Sequence, residues 1–145
     1  MILFLLFNRQ FGGIVFMVLT EKEDPRLFLA IDFLGVFFSM LKLKKKNVIS
    51  SKQLFETLGK YHNQFKDLFL DIDIRDNCGV FFSSDIEEGI VMLQILGAIG
   101  KANPRYEKII LKIDIDSARQ MIGECDEYHK KEIENFTDIF LKENY

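Results

Sequence analysis

The sequence has few of the residues from which disulfide frameworks, metal sites and catalytic centres are built. Its 145 residues include two cysteines and two histidines. Two cysteines do not make a disulfide framework, and they fit a reducing compartment, so we expect a cytoplasmic protein. The sequence also lacks the patterns GxSxG and HExxH and a glycine-rich phosphate-binding loop. These absences predict a protein that is not an enzyme, with no catalytic residues and no cofactor.

The sequence also lacks an apolar run suited to crossing a membrane. The apolar segments 10–20 and 27–41 are shorter than the roughly 20 residues that a transmembrane helix needs, and the second contains Asp32. A carboxylate at the centre of a bilayer costs about 2.5–3.5 kcal/mol on insertion scales. A secretory signal has a basic region before its apolar run and a small-residue cleavage site after it, and the apolar start MILFLLF has neither. We therefore expect no membrane partner.

The first 16 residues raise the question of where translation begins. Gly12-Gly13 can be encoded by a bacterial ribosome-binding site, and the next three codons supply a suitable spacing before Met17. We therefore expect residues 1–16 to be a translated leader and residues 17–145 to form one domain. The alternative is an apolar β-hairpin that turns at the same two glycines.

What the sequence does contain is typical of a helical domain. Hydrophobic residues make up 48% and charged residues 28%, which suits a folded chain. We attribute the 15 phenylalanines to a biased base composition of the gene rather than to a functional role. Helical spacing of apolar residues recurs along the chain, whereas turn residues and β-prone residues meet near residues 71–83. We predict a mainly α protein: a single-domain helical bundle of four to five helices with one short β-hairpin near residues 71–83.

The segment 27–43 predicts a helix with very little polar surface. Asp24 before it is suited to cap the helix, with a proline at the first helical position. The exceptions to its apolar character are spaced three or four residues apart on one thin stripe, made of Asp32, Gly35, Ser39 and Lys42. We expect this helix to be the most buried one, either at the centre of the bundle or in a homodimer interface.

Serine caps predict two helices in the middle of the chain. Ser50 or the serine after it begins an amphipathic segment that is interrupted by Gly59, so the segment forms one helix or two with a turn. Ser84 begins another helix, which we predict to continue through Ile99 and to end at Gly100.

The last third of the chain is ambiguous between helix and strand. Asn103-Pro104 has the form of a helix start, and residues 106–115 have apolar residues at helical spacing. The same residues also alternate as a strand would, and we favour the helix because of the Asn-Pro cap. A single last helix, capped by Asp114 or Asp116, is predicted to continue close to the C-terminus.

The candidate nucleic-acid site is ISSKQLFETLGKYHNQFKDLF, residues 49–69, which has the outline of a helix-turn-helix. Gly59 would make the turn, and the second helix would present five side chains to a major groove: Lys60, His62, Asn63, Gln64 and Lys66. Residues 42–66 carry seven lysines and one glutamate, a basic element of the kind that binds DNA. Phe55 is bulky where this motif needs a small residue, which weakens the interpretation.

A metal site has weak support in the sequence. Cys125 and His129 are four residues apart and would share a helix face, but two ligands do not make a structural zinc site. We therefore predict no metal.

The function predicted first is a non-catalytic cytosolic helical module for protein–protein interaction or regulation, working as a homodimer or with a protein partner. The alternative is a winged-helix DNA-binding transcriptional regulator that uses residues 49–69 on duplex DNA.

Overall fold

The computed structural model of this protein describes residues 27–102 and 107–145. Several predictions lie outside these residues: the leader at residues 1–16, the glycine turn within it, and the helix starts at Asp24 and Asn103. The described residues have a mainly α structure, as predicted, to which two small antiparallel β-sheets are added.

The described part of the chain contains five α-helices. They are α1 (Ala30–Leu43), α2 (Ser51–Tyr61), α3 (Ser84–Ile95), α4 (Ile115–Glu124) and α5 (Glu127–Asn144). A short 3-10 helix, His62–Phe65, directly follows α2. Among these helices, none combines the length and the apolar character that crossing a membrane requires.

Within residues 27–102 and 107–145, five short strands form two sheets. They are β1 (Val48–Ser50), β2 (Arg75–Asn77), β3 (Val80–Phe82), β4 (Ile99–Ala102) and β5 (Lys108–Leu111). The larger sheet has the order β1-β5-β4 and is antiparallel throughout. The smaller sheet pairs β2 with β3.

Helix α1 is the centre of the structure. Every residue from Ala30 to Leu41 is buried, and the helix packs against α3, α4 and α5 of the same chain. This confirms the prediction that the apolar helix is the most buried one. Because its apolar surface is covered within one chain, it no longer requires a second copy to cover it, and the homodimer stays a prediction without this support.

Phenylalanine rings fill the space between α1 and α5. Phe136 of α5 is fully buried and meets four other rings at centroid distances of 5.4–5.9 Å, those of Phe33, Phe37, Phe65 and Phe69. All four contacts are close to perpendicular, the edge-to-face arrangement that aromatic rings favour. We call these five residues the phenylalanine cluster.

The thin polar stripe of α1 is buried except at Lys42, which is half-buried, and each of its three polar side chains forms a hydrogen bond. The carboxylate of Asp32 accepts a hydrogen bond from the backbone N–H of Leu29 at 2.9 Å and thereby caps the helix. The Ser39 hydroxyl donates to the carbonyl of Gly35 at 2.6 Å, also within the helix. The ammonium of Lys42 donates to the carbonyl of Leu111 at 3.1 Å, which ties α1 to the larger sheet.

Residues 106–115, for which the sequence favoured a helix, contain strand β5 instead. This strand is central in its sheet, pairing Ile109 with Ile49 on one side and Leu111 with Ile99 on the other. All four of these side chains are buried. The non-local pairing on both edges, together with alternate burial, outweighs the local helix signal.

Helix boundaries elsewhere differ from the predictions in informative ways. Helix α3 begins after Ser83, whose hydroxyl caps it, and not after Ser84. It ends at Ile95, four residues earlier than predicted, because the chain turns at Gly97 with a φ of +79°. The predicted single last helix is two helices, because the Asp126 side chain caps α5 directly after α4 has ended.

Candidate functional site

A surface groove lies where the start of α1 meets α3. It has a volume of about 210 Å³, with an apolar floor and an acidic rim. The floor consists of Leu29, Ala30, Ile31, Gly89 and Met92, and the rim consists of Asp71, Asp85 and Glu88. Small-molecule and cofactor sites usually enclose about 300–1,000 Å³. This groove therefore suits a single anchoring side chain better than a whole cofactor.

The floor of the groove depends on a glycine. A Cβ atom at Gly89 would lie 2.8 Å from Cδ1 of Leu34 and 3.4 Å from the backbone nitrogen of Ile31. Because glycine has no Cβ, α3 can approach the first turn of α1 this closely. Leu29, directly before α1, is half-buried and extended and lines the groove together with residues of α3.

One residue of the acidic rim, Asp85, is held in place by a hydrogen bond at the start of α3. The carboxylate of Asp85 accepts the backbone N–H of Asp73 at 2.8 Å, and the Ser83 hydroxyl, which caps α3, donates to the carbonyl of Asp73 at 2.5 Å. Asp71 and Glu88 are exposed. Within residues 27–102 and 107–145, no lysine or arginine forms an ion pair with Asp71, Asp85 or Glu88. Among the described residues, the negative charge of the rim is therefore not compensated by an ion pair.

An exposed apolar stripe continues from the groove along α3. One face of α3 is formed by Glu88 and by the residues three, four and seven positions after it, which are Val91, Met92 and Ile95. Val91 is 47% exposed and Ile95 is 64% exposed. Leu70, directly before the rim residue Asp71, is 74% exposed. We call the groove, its rim and the residues Val91 and Ile95 the α3 surface.

The five candidate DNA-contacting residues do not form a recognition helix. Lys60 lies in the last turn of α2 and forms a 3.2 Å ion pair with Glu143. His62, Asn63 and Gln64 lie in the short 3-10 helix, and Lys66 follows it. The Nδ1 atom of His62 lies 2.9 Å from the Leu58 carbonyl and 3.1 Å from that of Gly59, so the ring is held against the backbone.

Gly59 does not make the predicted turn. Helix α2 passes through it and ends at Tyr61. A Cβ at Gly59 would lie 1.8 Å from a ring carbon of Phe81, so the glycine is needed because the β2–β3 pair packs directly on the helix. Residues 49–69 therefore contain one α-helix, and the second helix of a helix-turn-helix is not formed there.

Cys125 and His129 do not share a helix face. Cys125 ends α4, whereas His129 belongs to α5. Burial raises the pKa of the Cys125 thiol to about 12, so the thiol stays protonated near neutral pH. His129 stacks on Phe28 with a centroid distance of 4.1 Å, and its Nδ1 lies 2.6 Å from a carboxylate oxygen of Asp126. In the described ranges, no group of three or more histidine, cysteine, aspartate or glutamate side chains is arranged to hold a metal ion.

No protein-family model matches this chain, and neither the curated proteins nor the solved structures contain a significant match. The α3 surface was not predicted from the sequence. The sequence did contain a pattern that could have indicated it, because α3 has apolar residues on more than one face. The residues that face the core are Ile86, Ile90 and Leu93. A different face of the helix carries Val91, Met92 and Ile95. A helix with that pattern either has a second covered face or exposes apolar side chains.

Proposed function

We propose that this protein is a non-catalytic cytoplasmic module for protein–protein interaction, and that it docks its partner on the α3 surface. The observation that carries the proposal is the exposed apolar stripe of α3 beside an anchoring groove. Exposed apolar residues scattered singly are ordinary, but a row of them along a groove is typical of interaction sites. Val91 and Ile95 on one helix face make such a row with Met92 of the groove floor.

The arrangement of the α3 surface resembles known modes of peptide recognition in its chemistry. In helix-in-groove recognition, an amphipathic helix places its apolar face into a hydrophobic groove. The groove here is small, and the apolar stripe that includes its residue Met92 runs for about 10 Å along α3, the rise of a helix over the seven residues from Glu88 to Ile95. A partner segment of two to three helical turns would cover the whole α3 surface.

The cytoplasmic location is part of the proposal. Both cysteines are free: Cys78 is exposed at the tip of the β2–β3 pair and Cys125 is buried. Two cysteines that form no disulfide, one of them exposed, suit a reducing compartment.

A peptide-display selection tests the proposed function. The purified full-length protein is offered a random library, and selected peptides are measured against a variant with Ile95→Glu. The proposal predicts that selected peptides bind the protein and lose at least about tenfold in affinity with the variant, because a charge then stands in the apolar stripe. The matched control is Ile115→Glu, an exposed isoleucine at the start of α4. If peptides bind all three proteins equally, or if none is selected, the α3 surface is not a docking site.

A further inference from the structure

We infer that the partner segment is a cationic amphipathic helix from another protein; this inference rests on the proposed function of the α3 surface. Its apolar residues would cover Val91, Met92 and Ile95, and one would enter the groove. Its lysines or arginines would lie opposite Asp71, Asp85 and Glu88.

The charge of the rim is the argument for a cationic partner. The three carboxylates line the groove together with its apolar floor, and no basic side chain in the described part of the chain forms an ion pair with them. Burying unpaired carboxylates under an uncharged or acidic partner would cost desolvation energy without a compensating interaction. With a basic partner, the buried carboxylates would form ion pairs with its lysines or arginines. Interfaces gain their specificity and association rate through such complementary potentials.

The same charge argues against three other occupants. A second copy of this chain, docked through the same surface, would bring two acidic rims into one interface, where like charges repel. Duplex DNA and an anionic membrane are themselves negative and would be repelled by Asp71 and Glu88. A separate protein segment of positive charge is the occupant that the surface favours.

The volume of the groove fits this occupant as well. About 210 Å³ is less than a small-molecule site usually provides, but a projecting apolar side chain needs only a short recess. Met92 lines the groove, and Ile95 lies one turn further along the same face of α3. One anchoring residue of a partner helix would therefore enter the groove, and the next would contact the stripe at Ile95.

The test uses two synthetic peptides of roughly 18 residues, longer than the about 12–15 residues below which isolated helices are marginal in water. Both carry leucine at the same amphipathic spacing. In one the polar face is lysine and in the other it is glutamate. Binding to the full-length protein is followed through the methyl signals of methionine in an NMR spectrum. We expect the lysine peptide to shift the signal of Met92 and to leave those of the buried Met40 and Met121 in place.

The expected preference is at least about tenfold tighter binding of the lysine peptide, with affinity falling as salt is raised, because the ion pairs are exposed to solvent. A protein carrying Asp71→Lys and Glu88→Lys should reverse the preference. The matched control carries Glu107→Lys and Glu134→Lys, which changes the net charge equally at exposed positions away from the α3 surface and should keep the preference for lysine.

The outcomes separate the inference from the proposed function. Equal binding of both peptides at Met92, or loss of the preference in the control protein, overturns the cationic partner while leaving the α3 surface a docking site. If neither the synthetic peptides nor any selected peptide shifts Met92, both fall. A dimer in sedimentation that dissociates with Ile95→Glu would show that a second copy is the occupant and would also overturn the inference.

Discussion

The phenylalanine cluster and the α3 surface both include residues of or next to α1, and they differ in how far their apolar side chains are exposed. In the cluster, the Phe136 ring contacts the other four rings and has no exposed surface. On the α3 surface, Val91 and Ile95 are left about half exposed or more beside a groove. Burial of apolar area contributes about 25 cal/mol per Å², so an apolar side chain left in solvent forgoes this stabilisation. This difference supports the proposal that the cluster serves folding and that the α3 surface serves contact with a partner.

The largest effect is expected from truncating the centre of the cluster. Phe136→Ala removes a ring that contacts four others and leaves a cavity, so we expect the free energy of unfolding to fall by about 3–5 kcal/mol. Urea denaturation followed by circular dichroism measures it. Phe136→Leu, which retains most of the volume, should cost clearly less. A loss below about 1 kcal/mol for the alanine variant would mean that the rings are not the core of the fold.

A pair of glycines provides the next largest effect. Gly59→Ala places a Cβ inside the ring of Phe81, so we expect a loss of about 1–3 kcal/mol as the β2–β3 pair is pushed from α2. Gly123→Ala is the matched control, because a Cβ there meets nothing within 4 Å and the helix gains stability. The control should stabilise by about 0.5–1 kcal/mol. Equal effects of the two substitutions in thermal denaturation would contradict the packing described for Gly59.

A smaller effect is expected from the surface contact between α2 and α5. The pKa of the Glu143 carboxyl is lowered, first by the hydrogen bond from the Tyr61 hydroxyl and then by that from the Lys60 ammonium. A carboxyl with a lowered pKa in the folded state contributes stability above its unfolded pKa of about 4.3 and loses it as the pH falls through the folded value.

Glu143→Gln removes this pH-dependent contribution. We therefore expect the midpoint of acid unfolding to change slightly for the variant. The difference in the free energy of unfolding between the two proteins should be present at neutral pH and absent at strongly acidic pH. Glu134→Gln is the control, because Glu134 is an exposed glutamate of the same helix. A difference between Glu143→Gln and the unaltered protein that grows towards acidic pH would contradict the assignment.

Local chemistry made part of this fold predictable from the sequence. The Ser50 and Asp114 side chains cap α2 and α4, and the thin polar stripe of α1 correctly indicated a covered helix. These features depend on residues a few positions apart, which a sequence displays directly.

Features set by distant residues were not predictable in the same way. Gly59 is fixed by Phe81, which follows it by more than 20 residues, and β5 is a strand because β1 and β4 pair with it on both edges. The cap at Asp126 had a readable local signal, but the regular apolar spacing across it suggested one continuous helix. The α3 surface could not be foreseen from periodicity, because periodicity places residues on faces and does not show which face another element covers.

The most direct test of the account combines stability and binding in one pair of substitutions, Val91→Ser and Ile95→Ser. If the exposed stripe of α3 serves contact with a partner, the free energy of unfolding in urea should change by less than about 0.5 kcal/mol, as expected for surface positions. Binding of peptides selected against the unaltered protein should be lost at the same time. A fall in stability of more than about 2 kcal/mol, or binding that survives both substitutions, would contradict the assignment of this surface to partner recognition.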